Sequence, residues 1–120
     1  MPFTQFIEYK GKKILRIDID STTVETFEDM LKESGELIRK EPEGSVLSLA
    51  AGGPNTPIFT NKELFVKYLV ANAPYMKASV VSGLDKMKAA MFIAVVSASG
   101  RQLMLFSSEQ EAKEWLISQI

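Results

Sequence analysis

The chain has 120 residues, 46% of them hydrophobic and 24% charged, with a formal net charge of -1 and neither Cys nor His. Residues 1–120 make one domain, and interspersed charges of near-zero sum give nucleic acid no basic face on which to release counterions. The two missing residue types remove disulfides, thiolate chemistry, thiolate metal sites and the usual general base near neutral pH, so no enzyme, no cofactor and no bound metal is expected.

The opening residues Met1-Pro2-Phe3-Thr4-Gln5 carry neither a basic region nor an apolar core, which reads as a cytoplasmic protein rather than a secreted one. Residues 3–9 lean toward strand, and Tyr9-Lys10-Gly11-Lys12 turns them into a second strand over 13–19, a hairpin. In that second strand Leu15, Ile17 and Ile19 alternate with Ile14, Arg16 and Asp18, which predicts one packed face and one partly wet face. Thr22 and Glu25 have capping-box spacing, and Val24, Phe27, Leu31 and Ile38 follow at helical spacing with Met30 and Leu37 beside them. Gly35 weakens this helix without ending it; Pro42 and Gly44 end it.

The stretch Gly44-Ser45-Val46-Leu47-Ser48-Leu49-Ala50-Ala51 reads as a central strand, with Leu47 and Leu49 inward and Val46 and Ser48 outward. A loop over 52–59 leads to a second capping box, Thr60 with Glu63, and a helix carrying Leu64, Phe65, Tyr68 and Leu69 that stops before Pro74. Strand 77–82, a turn at Gly83-Leu84-Asp85 and a helix from Lys86 to about Ala98 come next, with Gly100 as a left-handed stop. A fifth strand over 102–106, with Leu103 and Leu105 inward, precedes a last helix capped by Ser108 with Glu111 and seated by Ala112, Trp115 and Leu116.

This β-β-α-β-α-β-α-β-α order predicts an α/β fold with a five-stranded, mostly parallel sheet, an N-terminal hairpin and four helices. If successive strands lie side by side, all helices fall on one face in a two-layer arrangement. The order and several stretches resemble the SpoIIAA-like family, small bacterial domains of STAS and Sec14-like kind. They include Tyr9-Lys10-Gly11-Lys12-Lys13-Ile14-Leu15-Arg16-Ile17-Asp18, Pro74-Tyr75-Met76-Lys77-Ala78-Ser79 and Ala112-Lys113-Glu114-Trp115-Leu116. The resemblance covers nearly the whole chain and implies a two-layer βα superhelix with no established catalytic residue. STAS domains that antagonise anti-sigma factors carry a phosphorylatable Ser in an Asp-Ser-Ser-Gly-like turn after the central strand. Here that turn reads Ala50-Ala51-Gly52-Gly53-Pro54-Asn55-Thr56, without the acid and the Ser pair, which leaves Thr56 and Thr60 as the nearest candidate phosphoacceptors.

Three places invite chemistry. Gly52-Gly53-Pro54-Asn55-Thr56 either holds an anion on backbone amides or is a plain strand-to-helix turn; no P-loop Lys follows. Asp18 and Asp20 either form an acid-base or metal pair or lead into the helix as solvated residues. The third helix has no polar side from Ala89 until Ser97, so it is either buried among its neighbours or covered by a second subunit or an apolar ligand, with Met91, Phe92 and Val95 as the candidate interface. The leading expectation is a non-catalytic regulatory or binding domain. It would contact a protein partner or small ligand at the carboxyl ends of the strands, through Asp20, Ser21, Gly52, Gly53, Asn55, Thr56 and Gly83. The alternatives are a small apolar-ligand or lipid carrier and a phospho-switched signalling domain. A homodimer is an open expectation; nucleic-acid binding and stable membrane insertion are not expected.

Overall fold

The structure, a computed structural model, describes residues 3–57, 61–100 and 104–119. Its first strands, β1 (Thr4–Tyr9) and β2 (Lys12–Asp18), pair antiparallel across a two-residue loop. Lys10 and Gly11 take φ of 49° and 80°, and a loop with both central residues at positive φ matches the twist of the strands it joins. β3 (Val46–Ala51), β4 (Met76–Ser82) and β5 (Met104–Phe106) each run parallel to the strand before. Strand order is β1-β2-β3-β4-β5, so the protein is α/β with a mixed five-stranded sheet. α1 (Phe27–Ile38), α2 (Lys62–Asn72) and α3 (Lys86–Ala98) connect the parallel strands, and α4 (Glu109–Ile117) follows β5.

Side-by-side strands with crossovers of one hand place the connecting helices on one face, and α1, α2 and α3 do share a core there, through Phe27, Leu31, Phe65, Leu69, Phe92 and Val96. α4 lies on the other face. Its Ala112 and Leu116, both fully buried, pack with Ile14, Leu47, Leu49 and Val80. The two-layer arrangement expected from the sequence is therefore wrong, and the molecule has three layers. A crossover helix is confined by the two strands it joins; among the described residues no strand follows α4, and it covers the face that is still apolar. Ile14, Leu47 and Leu49 make that face apolar, so β2 and β3 are buried on both sides. Val46 and Ser48, expected outward, point into the three-helix side, where Val46 belongs to the core and Ser48 lines a cavity.

Arg16 anchors α4 from β2, its Nε and Nη2 each donating to a Glu109 carboxylate oxygen at 3.0 Å. The guanidinium holds the Glu109 carboxyl below the usual carboxylate range. At the far end of the helix, Tyr9 Oη donates to Glu114 Oε1 at 2.6 Å.

The helix starts partly follow the sequence. Ser108 Oγ accepts from Glu111 N at 3.2 Å, as its spacing predicts. α1 begins differently: Thr23 and Thr26 exchange backbone-to-hydroxyl bonds of 2.7 and 3.1 Å, while Thr22 donates to Ile19 O. α2 is capped by Asn61, whose Oδ1 accepts from Leu64 N at 3.0 Å; Thr60, like Leu103, lies outside the described residues.

One irregularity positions the site. Val46 opposes Met76 but Leu47 opposes Ala78, so Lys77 is an extra residue in β4. A one-residue slip exchanges the faces of a strand. Met76 consequently shares the three-helix side with Ser79 and Val81, whereas Ala78 and Val80 meet α4.

Candidate ligand site

The loops at the carboxyl ends of β2, β3 and β4 meet as the sequence suggests, but they satisfy one another. Asp20 Oδ1 accepts from Asn55 N at 2.8 Å and from Thr56 Oγ1 at 3.4 Å, and Gly53 N donates to Thr56 Oγ1 at 2.9 Å. A Cβ on Gly53 would stand 2.8 Å from the Asp20 carboxyl, so the missing side chain is what admits Asp20. Gly83, at φ 76°, lies against Gly52, where a Cβ would come within 2.3 Å of the Gly52 carbonyl oxygen. The position an external anion would take on this turn is thus filled by the chain's own carboxylate.

The other expected residues part company. Ser21 turns to Asp18, donating from N at 3.1 Å and from Oγ at 2.7 Å. Asp18 and Asp20 therefore serve different partners and make no acid-base pair, and no group of three or more His, Cys, Asp or Glu among the described residues could hold a metal ion. Thr56 is 2% exposed with its hydroxyl engaged, so a kinase meets it only after the loop opens. On α3, Phe92 and Val95 are each 3% exposed and belong to the core, and Met91 is half-buried. Phe92 and Val95 therefore do not reach the surface; the large apolar side chains this helix exposes are Met87 and Ile93, at 59% and 45%. Its neighbours are the sheet and α2, while α4 is across the sheet.

Between the sheet and α1, α2 and α3 the packing leaves a cavity of about 60 Å³. Its lining runs from Phe27, the first residue of α1, to Ile38, the last, and takes in Met30, Ser48, Met76 and Val81. No Asp, Glu, Lys or Arg lines it. Two of its polar walls are paired, Ser48 Oγ donating to Ser79 Oγ at 3.1 Å and Tyr68 Oη bonding Ser34 Oγ at 2.8 Å.

Asn72 differs. It is 0% exposed, lines the cavity, and its Nδ2 has no hydrogen-bond partner among the described residues. Arg39 Nη1 donates to Asn72 Oδ1 at 3.1 Å. Since a guanidinium only donates, it must face the amide oxygen, which fixes Nδ2 as the other amide atom. Gly35 makes this possible: the Arg39 guanidinium lies over it, 2.8 Å from where a Cβ would be. A buried amide nitrogen without an acceptor costs about 1–3 kcal/mol, so this arrangement is set up to be completed.

Asn72 and Arg39 were not singled out by the sequence, and Gly35 only as a local weakening of its helix. The available signal was Gly35 in mid-helix with an Arg four residues on, a spacing that puts both on one face.

No family model, curated protein or solved structure matches the chain. Among the described residues no helix is long and apolar enough to cross a membrane.

Proposed function

We propose that the protein is a non-catalytic binding module that takes a small, largely apolar ligand between its sheet and the layer of α1, α2 and α3. The observation that carries this reading is the unpartnered Asn72 Nδ2 in a cavity with no charged wall, whose other polar side chains are paired. Few convergent polar groups in an apolar concavity are the usual makeup of a small-molecule site. A catalytic reading has less support, because the chain lacks His and Cys and no ionised side chain lines the cavity. Contact with a partner or anion at the carboxyl ends also has less support, since Asp20 already uses the donors of the 53–56 turn. A phospho-switch is disfavoured by the burial of Thr56, and Thr60 lies outside the described residues. A whole lipid exceeds the room inside the fold.

Asn72→Leu tests the proposal. Leu keeps the volume and removes the orphan donor, so the ligand-free variant should gain about 1 kcal/mol in denaturant unfolding while losing affinity for whatever the cavity holds. Leu also removes the bond from Arg39 to Asn72 Oδ1, so Arg39→Met is the reference. A loss more than about 1 kcal/mol beyond that of Arg39→Met would mean that Nδ2 is satisfied in the native protein, which sinks the reading.

A further inference from the structure

Resting on the reading just given, we infer that the ligand is a short, unbranched, uncharged carbonyl compound, its oxygen on Asn72 Nδ2 and its chain along the cavity. The atom on offer decides the polar end. Arg39 holds Oδ1, so what Asn72 presents is a donor, and the ligand must bring an acceptor.

The lining decides the charge. With no Lys or Arg in the walls, a carboxylate or phosphate would be stripped of water against one neutral amide, and a buried charge needs a counter-charge or several donors. A ketone, aldehyde or ester oxygen needs only the one bond. An alcohol or an N–H amide also offers an oxygen but brings a donor of its own that requires an acceptor.

Size and shape decide the body. A volume of about 60 Å³ is roughly four times the ~15 Å³ that admits one water and under half the ~150 Å³ that admits benzene. Yet its lining reaches from Phe27 to Ile38, which lie roughly 17 Å apart at the rise of an α-helix. Little volume spread over that length is a seam rather than a chamber, and a seam takes a chain before a ring. Met30 and Met76 stand in its walls, and unbranched thioether side chains adjust to a chain at small cost.

The test is a titration of the full-length protein, followed by the methyl NMR signals of Met30 and Met76, with four probes: butan-2-one, n-pentane, butanoate and cyclopentanone. Butan-2-one should bind at least tenfold tighter than n-pentane, butanoate and cyclopentanone, and in Asn72→Leu its advantage over n-pentane should vanish. If n-pentane or cyclopentanone equals it in the native protein, the acceptor or the chain shape is wrong and the inference falls, while an interior ligand site survives. Butanoate as the tightest probe overturns the neutral head in the same way. If no probe moves those signals, this inference falls; if a long-lived water also gives an Overhauser effect to Asn72 Nδ2, the cavity is a hydration site and the binding function falls with it.

Discussion

Gly35 shows how a single missing methyl group links helix chemistry to the site. In the middle of a helix, Gly costs about 1 kcal/mol relative to Ala, a cost that α1 could have avoided. What it gains is the space in which the Arg39 guanidinium lies before reaching Asn72 Oδ1. In Gly35→Ala the new Cβ displaces Arg39, trading about 1 kcal/mol of propensity against one hydrogen bond of similar worth. Chemical denaturation should therefore find its stability within about 1 kcal/mol of the native protein. The amide, no longer oriented, is then free to present either atom, and the preference for ligands with an acceptor should shrink several-fold. An unchanged preference would show that Arg39 does not position Asn72.

Among the elements, α4 is the one whose placement the sequence did not disclose, and the reason is physical. Residues such as Ala112 and Leu116 say that the helix has an apolar face, but with no strand after it among the described residues the crossover rule does not set that face. The decisive clue lay in the strands, where Ile14 beside Leu15, and Leu47 and Leu49 between Val46 and Ser48, leave neither face of the sheet fully polar. The Arg16–Glu109 fork then ties the first turn of α4 to β2. Because Glu109 titrates below its ordinary range in the folded state, this tie contributes in full above that range and is lost as pH falls through the depressed value. Both side chains keep about a third of their exposure, so the contribution is about 1 kcal/mol or less. Glu109→Gln should lower stability at pH 7 by that amount and flatten the acid limb of the pH–stability curve, as read by urea unfolding. A variant whose acid limb is as steep as that of the native protein would assign the slope to other carboxylates.

At the scale of the whole molecule, the order of elements, the hairpin, the parallel pairing and the side-by-side sheet were legible, because alternation, turn residues and capping spacings are local signals. The site expected where the loops meet is there as a place but is filled by Asp20, and the interior cavity left no local signal. That Asp20 would fill the 53–56 turn, or that Lys77 would be an extra residue turning Met76 toward α1 and α2, depends on register between distant strands, which no local pattern records. Asn72 was invisible for the same reason: at the end of a helix it reads as a polar stop, and only packing shows its amide enclosed.

The two faces of the sheet also differ in how they answer compression. The α4 side packs Ile14, Leu49, Val80 and Leu116 wholly or almost wholly out of solvent, while the other side holds the cavity and has room to give. Hydrostatic pressure acts on void volume, so it should act on one half of this protein before the other. Methyl signals of Met30, Leu31 and Ile38 should shift nonlinearly with pressure at loads where those of Leu47, Leu49 and Leu116 still shift linearly. A ligand filling the seam should abolish that asymmetry, turning a lopsided elastic body into a uniform one.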